Sequence, residues 1–288
     1  MRVALLGVGM IGGSLLGAWR RAGLVTTASG YDIEAGALAT ARDLGLIDRS
    51  AASAADAVAD ADLVLVATPV GSMRRLFGEL VPALPADALL TDVGSTKGGV
   101  IADARAALGA AFPRFVPAHP IAGKELPGVQ HADAGLFAGR RVVLTPVAET
   151  SDAAVAKVGD LFGMTGARVE RMDAVEHDRV FAAVSHLPHL LSFALVAAIG
   201  AEPGGERKLG YGGAGFRDFT RIAASSPVMW RDICIANRAA LGEELHGYRA
   251  LLERLQRALD DGDAAALQQT FELAARLRRR WADPADAQ

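Results

Sequence analysis

Three glycines near the N-terminus have the spacing of a loop that binds a dinucleotide. The stretch Gly-Val-Gly-Met-Ile-Gly occupies residues 7–12, directly after an apolar run at residues 2–6 and before a helical pattern. In such a strand–loop–helix unit, Gly7 permits a tight turn, Gly9 lets a pyrophosphate approach the backbone, and Gly12 allows close packing of helix on strand. The alternative interpretation is a glycine-rich loop without a ligand.

Asp32 indicates which dinucleotide this loop would bind. It lies twenty residues after Gly12, at the end of a second predicted strand over residues 28–32. A carboxylate at this position accepts hydrogen bonds from the adenosine ribose and repels the 2′-phosphate of NADP. Because no arginine follows at residues 33–35, the sequence predicts NAD as the cofactor.

Four more residues are predicted to contact the cofactor. Met10 and Ile11 open the first helix, whose N-terminus offers free N–H groups and the positive end of the helix dipole. Thr68 and Pro69 end a third apolar strand at the carboxyl edge of the predicted sheet, where α/β proteins bind their ligands. Pro69 also has a simpler role, because proline by itself terminates a strand.

Four later segments concentrate polar side chains at predicted strand ends and in helices or loops. Ser95 follows a fourth strand and opens a helix, so it is expected at the helix N-cap, a role that needs no substrate. His119 follows a fifth strand at the edge where α/β active sites form, although a lone histidine is often structural. The segments are residues 91–97, 119–125, 185–189 and 215–221.

The scaffold for these residues is predicted to be a parallel sheet covered by helices. Apolar strands alternate with helical patterns, and nearly continuous apolar strands are typical of a sheet buried on both faces. The fold class is therefore α/β, a doubly wound, mostly parallel Rossmann sheet with right-handed crossovers. The strands are residues 2–6, 28–32, 62–68, 89–93, 115–118 and 141–145.

The pattern changes after about residue 150. Residues 168–171 are predicted to form one last short strand, and beyond Asp173 the strand signal nearly ends. We expect a domain over residues 1–170 that binds NAD, and an all-helical domain over residues 171–288. Long helices are predicted over Ala174–Ala201 and over residues 228–260 and 263–281, with a glycine-rich loop at residues 203–215.

Composition excludes several classes of protein. The 30 basic and 33 acidic residues give a net charge of −3, which argues against binding to nucleic acid. We expect no membrane span, because the apolar run at residues 187–199 is interrupted by Pro188, His189 and Ser192 and is shorter than the roughly 20 residues required. Cys234 is the only cysteine, which predicts a protein of the reducing cytoplasm. No metal site is predicted.

Taken together, the motifs resemble those of the prephenate dehydrogenase family, which includes arogenate and cyclohexadienyl dehydrogenases. The resemblance implies a helical C-terminal domain that forms a homodimer. It also implies NAD-dependent oxidative decarboxylation of prephenate to 4-hydroxyphenylpyruvate, on the route to tyrosine. The matching segments are residues 7–14, 91–97, 119–125, 136–137, 185–189 and 215–230.

The resemblance also implies roles for individual residues. His119 would accept the proton of the substrate hydroxyl, and Ser95 would share that contact and orient His119. Arg221 would bind a carboxylate of the dianionic substrate, since a guanidinium group binds carboxylates with two hydrogen bonds. The other implied substrate-binding residues are His189, Glu125 and Trp230, the last from either subunit.

Several alternatives stay open. Prephenate has a keto group where arogenate has an ammonium group, and no motif in the sequence distinguishes the two substrates. A dehydrogenase of the β-hydroxyacid or 6-phosphogluconate type would need a catalytic lysine from a C-terminal helix, where this sequence has histidines. An NAD-dependent redox sensor would not need Ser95, His119 and Arg221 together. The roles of Lys97, Arg217 and His186 are not assigned.

Overall fold

The structure is a computed structural model that describes residues 1–123, 126 and 128–282. By its internal contacts the chain forms two compact units, Met1–Ala240 and Leu241–Gln288. Every candidate residue that the structure describes lies in the first unit. The domain boundary after residue 170 falls at the end of a strand and stays a prediction.

In the described part of the chain, the central sheet has six parallel strands in the order β3-β2-β1-β4-β5-β6. The order reverses between β1 and β4, and ligands of α/β proteins bind at such a switch point, beyond the carboxyl ends of the strands. The predicted fold class is confirmed. The strands are β1 (Arg2–Leu6), β2 (Thr27–Tyr31), β3 (Arg49–Ser50), β4 (Leu63–Val66), β5 (Leu89–Asp92) and β6 (Phe115–Val116).

Both faces of the central sheet are buried. Alternate residues of β1 point to opposite faces, so Leu6 belongs to one hydrophobic cluster and Leu5 to another. Phe77 and Trp19 are large, fully buried members of these two clusters. The helices between the strands are α1 (Met10–Arg21), α2 (Ala35–Asp43), α3 (Ala54–Val58), α4 (Val70–Leu80) and α5 (Gly98–Leu108).

A second sheet follows the first, and here the sequence prediction of a single sheet was wrong. Strands β7 (Ala118–Pro120), β8 (Arg141–Leu144) and β9 (Arg168–Arg171) form it, with β7 antiparallel to β8. The predicted strand at residues 115–118 is divided at Pro117, which has no N–H to donate to a ladder. The Pro117 carbonyl accepts a hydrogen bond from Thr145 beyond β8. Helix α6 (Asp152–Gly163) connects β8 to β9.

A continuous helical run follows β9, as predicted for Ala174–Ala201. It consists of α7 (Ala174–Phe181), a π turn (Ala182–His186) and α8 (Leu187–Ala201). The run is long and apolar enough to cross a membrane by length and composition alone. Its polar side chains His177, His186 and Ser192 are nonetheless fully buried within the folded unit.

The remaining helices differ from the prediction in two places. The glycine-rich loop at residues 203–215 contains a short helix, and the helix predicted over residues 228–260 is interrupted at Asn237. In Leu241–Ala282, large apolar side chains such as Phe271 and Trp281 are exposed. The helices are α9 (Gly205–Gly210), α10 (Ala214–Thr220), α11 (Pro227–Ala236), α12 (Arg238–Asp260) and α13 (Ala264–Ala282).

Candidate active site

The glycine loop has the geometry that a bound pyrophosphate requires. Gly7 has φ +92°, and a Cβ atom there would lie 2.6 Å from the Ala67 backbone, so only glycine fits. A Cβ at Gly12 would lie 2.7 Å from Leu5 Cδ1. At Gly9 no described atom lies within 4 Å of a Cβ position, which leaves space beside the backbone. Among the described side chains, none caps the N-terminus of α1, where Met10 and Ile11 lie.

Asp32 lies against this loop. Its Oδ2 accepts the N–H of Val8 at 2.7 Å, and its Oδ1 accepts the N–H of Glu34 at 2.9 Å. The carboxylate is half-buried, so it orders the loop while staying accessible to a ribose.

Thr68 and Pro69 lie on the other side of the glycine loop, after β4. The Thr68 backbone nitrogen is 2.7 Å from a Cβ built at Gly7. In the described part of the chain, the buried Thr68 hydroxyl has no hydrogen-bond partner, which fits a polar contact with a ligand. Pro69 occupies the N-cap of α4. These residues and the loop fit a bound dinucleotide.

A buried ion pair joins the two sheets beside His119. Lys97 Nζ lies 2.5 Å from Asp92 Oδ2 and donates to the Ala118 carbonyl at 2.7 Å. The other Asp92 oxygen accepts the N–H of Ala118 at 3.1 Å. Burial lowers the pKa of Lys97, although the Asp92 carboxylate opposes this shift. The pair fixes the backbone next to His119, which gives Lys97 a structural role.

His119 lies on β7 and contacts two residues of α7. Its Nδ1 is 2.9 Å from His177 Nε2, and its ring lies edge-on to Phe181 with centroids 4.7 Å apart. The pKa of His119 lies well below 6.5 because the ring is buried, and because His177, Lys97 and His186 face it. His119 is therefore neutral at pH 7 and has a nitrogen that accepts a hydrogen bond.

The expected N-cap role of Ser95 was wrong. Helix α5 begins at Gly98 with Lys97 as its N-cap residue. The carboxylate of Asp178 instead accepts the N–H groups of Lys97 and Gly98, at 2.8 Å each. Ser95 lies earlier, in the loop after β5, and its backbone contributes to the environment of His186. Its contact with a substrate hydroxyl stays a prediction.

His189 and Trp230 form a second aromatic cluster within the same chain. Their rings are stacked, with centroids 3.5 Å apart and an interplanar angle of 17°. His189 Nδ1 is 3.0 Å from the Ser185 carbonyl. Burial lowers the pKa of His189, and the charge of the exposed Arg221 lowers it further, so Arg221 belongs to the same region. The buried Trp230 Nε1 has no hydrogen-bond partner among the described atoms. Glu125 lies outside the described residues.

Sequence reasoning assigned no role to three polar residues, of which His177 contacts His119. His177 Nδ1 is 2.9 Å from Asp178 Oδ1, and the Asn237 amide donates to the Asp178 carbonyl at 2.7 Å while lying 3.0 Å from His186 Nδ1. The sequence feature that could have pointed to them is the pair His177-Asp178, which lies in a helical run that is otherwise largely apolar. Within residues 1–123, 126 and 128–282, no cluster of three His, Cys, Asp or Glu side chains could hold a metal ion.

The fold and the site define a Rossmann-type nucleotide-binding protein of the oxidoreductase class, extended by a helical region. Two family models match it. "Prephenate dehydrogenase, nucleotide-binding domain" matches residues 16–171, and "Prephenate dehydrogenase, dimerization domain" matches residues 173–273. The chain belongs to the prephenate dehydrogenase family, which confirms the resemblance seen in its motifs.

Individual relatives agree with this assignment. Cyclohexadienyl dehydrogenase of Zymomonas mobilis is 36% identical over 96% of this chain and 94% of its own. The crystal structure of Aquifex aeolicus prephenate dehydrogenase in complex with hydroxyphenyl propionate and NAD+ is 35% identical, with a TM-score of 0.89 over 98% of both chains. Synechocystis arogenate dehydrogenase is 27% identical, with a TM-score of 0.79 over 98% of this chain and 100% of its own.

Proposed function

We propose that the protein is an NAD-dependent prephenate dehydrogenase of tyrosine biosynthesis, which converts prephenate to 4-hydroxyphenylpyruvate and CO2. The observation that carries this proposal is the half-buried, neutral His119, fixed through Ala118 beside the carboxyl edge of the nucleotide-binding sheet. Family membership favours this reaction over a β-hydroxyacid dehydrogenase or a redox sensor.

The reaction requires the protein mainly to position the substrate against the cofactor and to accept one proton. Bound NAD+ supplies a hydride acceptor for ring C4 of the substrate. His119 takes the proton of the C4 hydroxyl, so that a carbonyl forms there. Loss of the ring carboxylate as CO2 leaves its bonding electrons in the ring, which becomes aromatic, and the resulting phenolate oxygen regains a proton. Alignment of C4 and His119 contributes several kcal/mol of the rate enhancement.

The substrate carries two carboxylates, so a protein of net charge −3 needs a local cation. Arg221 is the proposed carboxylate ligand. His189 and Trp230 are proposed to line the substrate site, since they lie together and Arg221 affects the pKa of His189. Ser95 and Glu125 complete the proposed set.

NAD rather than NADP is the proposed cofactor. The contacts of Asp32 with the glycine loop support this choice, because a carboxylate beside such a loop accepts hydrogen bonds from a ribose and repels a 2′-phosphate. The Aquifex relative, similar over nearly its whole length, was solved with NAD+.

The test is to supply the purified protein with prephenate or arogenate, each with NAD+ or NADP+, and to follow NADH or NADPH by absorbance. We expect turnover with prephenate and NAD+. Turnover with arogenate alone would identify the second candidate substrate, which the similarity to arogenate and cyclohexadienyl dehydrogenases favours. If the protein turns over neither prephenate nor arogenate, the proposed reaction is wrong.

A cytoplasmic homodimer is the proposed form of the enzyme. The dimerization-domain match at residues 173–273 and the exposed apolar side chains of α13, such as Leu277 and Trp281, support assembly through the C-terminal helices. Light scattering on the purified protein should give twice the chain mass of 29.9 kDa, and a monomer at micromolar concentration would contradict the dimer.

A further inference from the structure

Two residues behind His119, the buried His177 and the half-buried Asp178, have no part in the proposed reaction. His119 Nδ1 lies 2.9 Å from His177 Nε2, and His177 Nδ1 lies 2.9 Å from Asp178 Oδ1. We propose that His177 and Asp178 are positioning residues that hold His119 in the one tautomer whose Nε2 can take the substrate proton. The inference rests on the proposed function for the identity of that substrate.

The direction of both hydrogen bonds follows from Asp178. An ionised carboxylate only accepts, so the proton between Asp178 and His177 must lie on His177 Nδ1. A neutral imidazole has a single N–H, so His177 Nε2 is an acceptor. His119 Nδ1 must then be the donor in the 2.9 Å contact, and His119 Nε2 has a free lone pair.

Hydrogen bonds from neighbouring groups keep the carboxyl group of Asp178 ionised. Burial opposes ionisation, but hydrogen bonds from His177 and from the backbone N–H groups of Lys97 and Gly98 outweigh it, so the pKa of Asp178 is lowered. Three elements hold this residue: α7 contains it, α5 donates to its carboxylate, and Asn237 after α11 donates to its carbonyl.

The two histidines are neutral for related reasons. Burial lowers the pKa of both, and the charge of Lys97 lowers both further, while Asp178 and Asp92 raise that of His177. His186 also faces His119. At neutral pH the triad His119–His177–Asp178 therefore has one N–H on each ring, and the argument for the tautomer applies.

The triad also acts after the proton has moved. When Nε2 of His119 takes the hydroxyl proton, the ring becomes an imidazolium in a buried place beside Lys97. The hydrogen bond to His177, which is polarised by Asp178, stabilises that charge without any transfer of a proton to the carboxylate.

The first experiment compares two replacements of His177. Gln can still accept from His119 through its oxygen and donate to Asp178 through its nitrogen, whereas Leu can do neither. We expect H177L to lower kcat about a hundredfold, and H177Q to stay within about tenfold of wild type. For both variants the KM values for prephenate and NAD+ should change less than about threefold. Equal losses in H177L and H177Q, or wild-type kcat in H177L, would overturn the role of the triad.

The second experiment changes the charge and uses a matched control on the same helix. Asp178→Asn should lower kcat and move the acid limb of the kcat profile to lower pH, because the His119 imidazolium loses its anionic partner. Asp173 caps α7 by accepting the N–H groups of Val175 and Glu176. Because Asn also caps helices well, Asp173→Asn should leave both readouts unchanged. An acid limb that stays in place in Asp178→Asn contradicts the proposal.

The third measurement does not depend on any substrate. Nitrogen NMR of the histidine rings in the free wild-type protein, assigned by the signals missing from His119→Asn, should show His119 protonated at Nδ1 and bare at Nε2. A proton on Nε2 would refute the tautomer argument even if prephenate were oxidised. If the tautomer is as expected but prephenate is not a substrate, only the proposed function fails.

Discussion

Burial of His119 decides how it can act. Its lowered pKa means that the ring is neutral at pH 7, so its lone pair is available to a hydroxyl proton. His119→Asn removes this base and keeps a polar, uncharged side chain. We expect kcat to fall about a hundredfold or more, while the dissociation constant for NAD+, measured by protein fluorescence, stays the same. Near-normal turnover would exclude His119 as the base.

Arg221 should affect substrate affinity more than turnover. If its guanidinium group binds a substrate carboxylate, Arg221→Ala should raise KM for prephenate about tenfold or more, with a smaller change in kcat. Arg238→Ala, at the start of α12, is a control for the loss of one positive charge. An unchanged KM in the Arg221 variant would mean that another cation holds the carboxylate.

Asp32 should determine the preference for NAD over NADP. Asp32→Ser removes the charge that repels a 2′-phosphate, so the ratio of kcat/KM for NAD+ to that for NADP+ should fall by about tenfold or more. The ratio is the informative quantity, because loss of the hydrogen bond to Val8 weakens the binding of either cofactor. Asp43→Ser, which changes an exposed carboxylate at the end of α2, should leave the ratio unaltered.

At the scale of single residues, the sequence predicts those positions that local spacing determines. The places of Gly7, Gly12 and Asp32 follow from how a strand, a turn and a helix must pack. In the structure Gly7 has a positive φ, Gly12 lies close to Leu5, and Asp32 accepts the N–H of Val8. His177 and Asp178 acquire their contacts only when α7 meets β7, and these elements lie more than fifty residues apart along the chain. No local sequence pattern predicts a contact between residues so far apart along the chain.

At the scale of elements, the errors occur where the chain leaves the central sheet. Apolar runs predicted β1, β4 and β5 well because both faces of those strands are buried. The change of sheet between β6 and β7 escaped prediction because a single residue, Pro117, separates the two strands and was the only sign of a break. Ser95 was misplaced because a carboxylate from a distant helix caps α5.

The ion pair between the two sheets should contribute strongly to stability. Lys97→Met keeps most of the side-chain volume but leaves the fully buried Asp92 without its cation. We expect a loss of about 3–5 kcal/mol in the free energy of unfolding, measured by urea denaturation at pH 7. Lys157→Met, at an exposed position of α6, is the control and should change it by less than about 0.5 kcal/mol. Equal urea midpoints for the two variants would contradict the structural role of Lys97.

For the molecule as a whole, the buried histidines predict sensitivity to acid. His119, His177, His186 and His189 all have a lowered pKa, mainly through burial, and that of His186 is about 4. The unfolded chain binds these protons near pH 6.5, so between pH 6.5 and about 4 it holds more protons than the folded chain. Stability should therefore fall as the pH falls through this window, by up to about 1.4 kcal/mol per pH unit for each proton.

Urea midpoints between pH 7.5 and 5 test this acid sensitivity. Above pH 6.5 the histidines are neutral in both states, and their contribution to the slope should vanish. His186→Gln should reduce the slope below pH 6.5, whereas His246→Gln, at an exposed position of α12, should not. A midpoint that stays constant from pH 7 to 5 would show that the buried rings accept protons without unfolding.

The π turn between α7 and α8 has a consequence for the angular arrangement of the site. At about 100° per residue, an unbroken α-helix would set His177 and His189 about 120° apart around its axis. A π turn contains one extra residue per turn and cancels about 100° of that angle, so both imidazoles face nearly the same side. The π turn thus takes up one residue without turning the helix that follows it. Straightening Ala182–His186 into a regular α-helix would turn His189 and all that follows it by about 100°, away from the side that His177 shares with His119, whereas deleting one residue together with the π turn would keep both imidazoles on that side.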